Sequence, residues 1–344
     1  MADPSAGPAA GPARPSWGER AAVAGYRAAF AVVPRLPEVV ARLAFAAGAD
    51  LAWLRRGAGV RRLEEQLAAA TGESGRALRT RSRAGLASYA RYWCDAFRLH
   101  TWTAEQLDRR TRVEGAGPLV EALASGRGAV AFLGHSGSWD QVGAWAAAHW
   151  GERGAGYGPV ITAVERLEPR EVFEAFLAFR ARLGLQAVAV EVGGSGGGFP
   201  ALVRGLRAGA FVPLLADRDL TGSGVDVELL GRASRAAAGP AALALTVRAP
   251  LFPVTVHYEP AAGRPGRPGR PGRRRAWRTW TAVAVVHPEV LPDPALGRRE
   301  QVPAMTRACV AVLEAGVRAH PEDWHALQRI FTDGGPAVGA GGAP

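Results

Sequence analysis

His135 and Asp140 stand five positions apart in GHSGSWD, directly after the apolar run 129–133. A histidine can divide its two ring nitrogens between two tasks. One is held by a carboxylate, and the other is left bare to take a proton from a hydroxyl. The short stretch Ser136-Gly137-Ser138 can turn Asp140 back against one imidazole nitrogen. Two more charged groups follow apolar runs in the same way. Glu165 and Arg166 close one run, with Arg180 and Arg182 in the helical stretch beyond. Asp217, Arg218 and Asp219 close another. Charges at the ends of buried strands are costly unless they are paired or used. An ion pair at a strand end is the structural reading of each cluster. The functional reading is one charged pocket, because ligands of open α/β sheets bind outside the carboxyl ends of the strands. Such a pocket could activate a hydroxyl beside arginines able to neutralise phosphate groups.

The elements that must position these residues can be read from periodicity. The run 129–133, bounded by Gly128 and Gly134, suits a buried strand, and Ser138 suits the cap of a helix over 138–149. Further strands are expected at 160–164, 187–190, 211–215, 225–229, 251–257 and 277–286. Helices are expected at 118–125, 169–183, 199–208, 239–247 and, closing the core, 300–320. The alternation predicts an α/β fold with a mixed central sheet flanked by helices. The chain before Val113 reads as helical. Pro34 and Pro37 divide 17–49 into two short helices, and 60–71 and 76–99 follow. Arg20, Arg27, Arg35 and Arg42 are interspersed among apolar residues there. That pattern fits either an amphipathic segment lying on an anionic membrane or a helical cap on the core. The plan is a disordered tail (1–16), one domain (17–331) made of a helical region (17–112) and an α/β core (113–331), and a second disordered tail (332–344).

Composition narrows the class. The 344 residues are 48% apolar and carry a net charge of +11, with arginine as the only basic type apart from histidine. A globular protein with anionic partners is expected: lipid headgroups, phosphates or nucleic acid. The RPG-rich stretch 264–275 reads as an exposed basic hairpin tip, and nucleic acid is not the expected partner. The glycine run 193–198 lacks the features of a phosphate loop or a dinucleotide fingerprint and reads as a connection. Cys94 and Cys309 read as reduced thiols packed in helices. The chain carries neither an apolar run of about 18 residues nor a signal-type apolar stretch, so any membrane role is expected to be peripheral.

The stretch from His135 through SGSW to Asp140 resembles the His-x4-acidic signature of bacterial lipid acyltransferases. These include the lauroyl/myristoyl transferases of lipid A biosynthesis, and the resemblance is closer to the actinobacterial phosphatidylinositol mannoside acyltransferases. It runs from about Gly18 to Phe331 and includes TAVERLEP (162–169), LAFRARLG (177–184), LLADRDLTGSGVDVELLGR (214–232) and HPEDWHALQRIF (320–331). The resemblance implies transfer of a long acyl group, typically palmitoyl, from acyl-CoA. The implied acceptor is the 6-hydroxyl of the mannose on the inositol 2-position of phosphatidylinositol mono- or dimannoside. Acyl-CoA is then a co-substrate, no cofactor or metal is called for, and the reaction takes place on an anionic membrane surface at the cytoplasmic face. His135 is the implied general base, with Asp140 beside it. Asp217 is a second acidic group, able to bind the acceptor or to support His135, at a position where relatives can carry Glu. Glu165 and Arg180, like Asp217, match active-site positions of the family, and Arg166, Arg180 and Arg218 are able to neutralise CoA or lipid phosphates, so Glu165, Arg166, Arg180 and Arg218 are the expected substrate-binding residues. Donors for an oxyanion are expected among backbone N–H groups near 136–138 or at a helix start. The insertion 264–275 has no counterpart in this pattern. Trp324 and His325 read as structural: Pro321 starts a turn, and tryptophan is more often core than ligand site. Two alternatives stand beside this reading. One is acyl transfer to another glycolipid or a lysophospholipid. The other is a non-catalytic basic protein that binds membranes or nucleic acid.

Overall fold

Proline sets the first break in the chain. The helix α1 (Trp17–Val32) gives way to a short 3-10 turn (Val33–Arg35), and α2 (Glu38–Arg55) starts directly after Pro37. The computed structural model describes residues 17–152, 154–165, 170–190, 198–219, 222–261 and 279–332. The two expected tails (apart from Thr332), Arg166, most of the glycine run and the basic insertion lie outside the described residues.

The second helix runs past the expected bound at 49 to Arg55, and the inner faces of both find partners. Phe30 of α1 packs edge-on against Phe97 and Phe176. Arg42 of α2 turns inward, is buried, and pairs with Glu38 and Asp95, each at 2.8 Å, as in the helical-cap reading of this segment. The outer face of α2 is left apolar, with Val39, Val40, Leu43, Leu51 and Leu54 exposed at helical spacing. The helices α3 (Ala58–Thr71), α4 (Gly75–Leu99) and α5 (Ala104–Arg110) complete this region.

The core then alternates. Its elements are β1 (Thr111–Glu114), α6 (Gly117–Ala124), β2 (Ala129–Leu133), α7 (Trp139–His149), β3 (Val160–Glu165), α8 (Arg170–Arg182), β4 (Leu185–Val190) and α9 (Gly198–Arg207). They continue with β5 (Phe211–Leu215), β6 (Val225–Leu229), β7 (Arg232–Ala236), α10 (Gly239–Val247), β8 (Leu251–Pro260), β9 (Trp280–Val286) and α11 (Arg298–Ala319). The main sheet has the order β1-β9-β8-β2-β5-β3-β4. Strands β8, β2, β5, β3 and β4 run parallel, and β9 turns antiparallel to β8, so the sheet is mixed and mostly parallel. All five residues of β2 are buried, because helices cover both faces. Val130 and Phe132 pack on the side of α10 and α11, while Ala131 and Leu133 pack on the side of α6 and α7.

Two departures have simple causes. The strand expected at 225–229 leaves the main sheet and pairs with β7 as a separate antiparallel ribbon. The turn between them places Leu230 and Gly231 at positive φ, the geometry of a tight hairpin. Neither β7 (RASRA) nor β1 (TRVE) is apolar enough to stand out as a strand; both borrow their order from a partner.

Candidate active site

The register of β2 and β5 creates the site. Leu133 lies opposite Leu215, so residues two positions beyond each strand end come together. Those residues are His135 and Asp217. Their side chains meet at 2.6 Å, Nδ1 to Oδ1. The other carboxylate oxygen, Oδ2, accepts the His135 backbone N–H at 3.0 Å and the Trp324 indole N–H at 3.3 Å. The expectation that Asp140 holds the imidazole is therefore corrected: Asp217 holds it.

Asp140 sits one residue into α7, and the helix turns it toward other partners. Its Oδ2 accepts the Tyr92 hydroxyl at 2.7 Å, and its Oδ1 faces Arg180 Nε at 3.4 Å. Burial pushes the Tyr92 phenol well above its ordinary value, and the charge of Asp140 adds to the effect, so the hydroxyl stays a donor. Ser138 occupies the cap position, but its side chain makes no capping hydrogen bond, because its backbone (φ −110°, ψ 71°) is not extended.

The protonation of the pair follows from the surroundings of Asp217. Burial would raise its carboxyl, but the charge of His135 and the three N–H donors outweigh burial and hold it down at about 2. The group is ionised at neutral pH and can only accept. His135 Nδ1 therefore carries a hydrogen toward Asp217, and in the neutral form of the ring Nε2 is the nitrogen that keeps a lone pair. The His135 side chain is 25% exposed, enough for a substrate to reach it. This is the arrangement of a general base.

The loop 134–138 is pinned by the segment that follows α11. His325 N–H donates to the His135 carbonyl at 2.8 Å, Gly137 N–H donates to the Asp323 carbonyl at 2.9 Å, and Ser136 pairs with Trp324 across a β-bridge. Gly137 has φ of +56°, and a Cβ there would come within 2.9 Å of the Val256 backbone, so the close crossing over β8 needs glycine. Trp324 is buried, as expected for a core residue, but its indole also supports the base.

His325 is buried beside the site. Ser88 donates its hydroxyl to Asp323 at 2.6 Å and meets His325 Nε2 at 3.2 Å. Burial, with the nearby Arg91 and His135, holds the His325 imidazole down at about 3. The sign of the linkage is set by that value. Below about pH 6.5 the unfolded chain takes up a proton that folded His325 refuses, so stability falls as pH drops from there toward 3. Between pH 6.5 and 5 this one group should cost about 2 kcal/mol. Urea unfolding at the two pH values is expected to lose that difference in His325→Gln relative to wild type. Equal pH slopes in both proteins would remove His325 as the cause.

The remaining expected site residues distribute as follows. Arg180 joins Asp140. Glu165 ends β3 at the same edge of the sheet. Arg218 donates to the Gln328 side chain. Arg166 lies outside the described residues. Tyr92, Ser88, Asp323, Trp324 and His325 complete the cluster. Sequence reasoning missed Tyr92 and Ser88, since only a known helix packing could bring α4 to this edge, and it read the turn at Pro321 with Trp324 and His325 as structural, so that Asp323 was missed with them. Under α7 runs an apolar cavity lined by Ala131, Leu133, Val142, Gly143, Leu185 and Phe211. Trp139, Asp140 and Arg180 also border it.

Comparison with known proteins agrees in extent. Residues 20–333 match the family model described as bacterial lipid A biosynthesis acyltransferase. A phosphatidylinositol mannoside acyltransferase of Mycolicibacterium smegmatis is 36% identical over 305 residues, covering 88% of this chain and 89% of the relative. Proteins of the same name from two strains of Mycobacterium tuberculosis are 34% identical over 308 residues, covering 88% of this chain and 86% of each relative.

Proposed function

The chain belongs to the bacterial lipid A biosynthesis acyltransferase family and is an acyltransferase; from that premise we propose that it transfers a long-chain acyl group, palmitoyl, from acyl-CoA to a phosphatidylinositol mannoside. The proposed acceptor atom is the 6-hydroxyl of the mannose on the inositol 2-position, in the mono- or dimannoside. The observation that carries the mechanism is the His135–Asp217 pair, with Nδ1 held and Nε2 bare.

A sugar hydroxyl is a weak nucleophile at neutral pH. In the proposed step its proton passes to His135 Nε2 as its oxygen forms a bond to the thioester carbonyl carbon. The carbonyl electron pair moves onto oxygen. Collapse restores the C=O bond and breaks the C–S bond, and the sulfur leaves with the proton held on His135. Asp217 keeps the tautomer and stabilises the imidazolium that forms between the two steps. Asp140 anchors Arg180 and Tyr92 beside the pair. Burial first of all pushes both Cys94 and Cys309 up to about 12, so neither is a ready nucleophile, which favours direct transfer. The apolar cavity under α7 supports a site for the acyl chain. Arg180 at its border and Arg218, with Glu165 and Arg166, are the assigned contacts to the polar parts of the substrates. This reaction calls for no cofactor or metal.

A peripheral position on the cytoplasmic face of the membrane belongs to the same proposal. The exposed apolar stripe on α2 supports it, together with the exposed Arg27, Arg55 and Arg62 nearby in the chain. No described helix is long and apolar enough to cross a membrane.

The test is transfer from palmitoyl-CoA by the purified protein, with acceptors presented in vesicles of neutral or anionic lipid. Transfer to the mannoside is expected, faster on anionic vesicles. Transfer to a lysophospholipid alone would replace the acceptor assignment. Vesicle binding without transfer to either acceptor would refute the proposed reaction.

A further inference from the structure

The loop around His135 has few backbone donors to spare. His135 N–H is given to Asp217, Ser136 N–H to the Gly134 carbonyl at 2.8 Å, and Gly137 N–H to the Asp323 carbonyl at 2.9 Å. The expected oxyanion donors at 136 and 137 are thus already committed. Of the side-chain polar atoms beside them, Tyr258 Oη, His325 Nδ1 and the Trp139 indole N–H are not, and of these three residues Trp139 is the one that borders the apolar cavity. Among the described residues, Trp139 Nε1 is buried and has no hydrogen-bond partner. A buried N–H without an acceptor is costly and uncommon, and at a site it marks a place where a ligand atom belongs.

The position of the ring fits a specific ligand atom. Trp139 stacks on Tyr92 with centroids 4.1 Å apart, and Tyr92 is fixed by Asp140. It meets the His135 ring edge-on at 5.5 Å. It also borders the apolar cavity under α7. A thioester whose chain enters that cavity presents its carbonyl between the cavity and the base. Base to attacking oxygen, attacking oxygen to carbonyl carbon, and oxyanion to donor are each steps of about 3 Å.

We infer that Trp139 Nε1–H donates the hydrogen bond that stabilises the thioester carbonyl oxygen as negative charge develops on it. This rests on the acyl-transfer reading above and adds a catalytic residue to it. The stack on Tyr92 holds the indole, so the direction of the donor is set before the substrate arrives.

The decisive experiment removes the N–H and keeps the ring. Trp139 is replaced by benzothienylalanine, which has the same bicyclic shape with sulfur in place of N–H, and in parallel by Trp139→Phe. With palmitoyl-CoA and mannoside, kcat is expected to fall about a hundredfold in the benzothienyl protein. KM for palmitoyl-CoA and the thermal midpoint should stay near wild type, since the ring still packs and no bond of the free protein is lost. Trp139→Phe should show a similar loss of kcat with some loss of stability. A benzothienyl protein with wild-type kcat would overturn the inference. So would a loss confined to KM or matched by a lower midpoint. Wild-type protein in the same assay separates the two levels: if it transfers nothing, the reaction reading fails and takes this inference with it.

Discussion

His135→Ala is expected to lower the kcat of acyl transfer about a thousandfold while the protein stays folded. General bases contribute on the order of a hundredfold to ten-thousandfold, and no described neighbour can take over the proton from the same point. The loop should survive the change. Its backbone is held through the His135 N–H and carbonyl, neither of which belongs to the imidazole. Asp217 keeps two of its three donors, from the His135 backbone and Trp324. The measurement is single-turnover transfer to the mannoside, alongside thermal unfolding. A variant that transfers at the wild-type rate would sink the base assignment; one that merely fails to fold would call for His135→Gln in its place.

Asp217→Asn is expected to cost a hundredfold to ten-thousandfold, with KM little changed. The reason is a conflict that an amide cannot resolve. The carboxylate accepts from Nδ1 on one oxygen and from two N–H groups on the other. In one orientation, the amide NH2 points at the His135 and Trp324 donors, and two sets of donors face each other. In the other, the NH2 points at Nδ1, which must then accept, so the ring hydrogen moves to Nε2 and the base is lost. Thermal unfolding distinguishes the two: only the first orientation should destabilise. Full activity in a folded Asp217→Asn protein would show that the carboxylate is not needed. These two changes should also be strongly non-additive, because the residues act as a unit.

The sequence displayed the strands more openly than the pairing across them. The apolar runs at 129–133 and 211–215 emerge as β2 and β5 at those bounds. His135 and Asp217 each stand two positions past such a run, but that equality becomes informative only when the two strands are known to be neighbours in register. The pairing is 82 residues apart in the chain. By contrast, Asp140 is near in sequence and invited a local solution, yet the first turn of α7 aims it at Tyr92. Short polar strands such as β1 and β7 were hidden for a related reason: their stability lies in a partner strand and not in their own composition. The inward turn of Arg42 was equally hidden, since only the fold brings Asp95 to it.

The dependence of His135 on the segment 321–331 bears on how the protein is made. The histidine and its aspartate are synthesised well before Asp323, Trp324 and His325, which hold the loop, the carboxylate and the His135 carbonyl respectively. A nascent chain that has not yet released these residues carries the reactive imidazole without the contacts that pose it. Competence therefore waits until residues 323–325 have been added and have folded back, after both faces of the sheet have been supplied with their helices. A polypeptide cut short before Asp323 would retain most of the core and lack the clasp on its reactive loop.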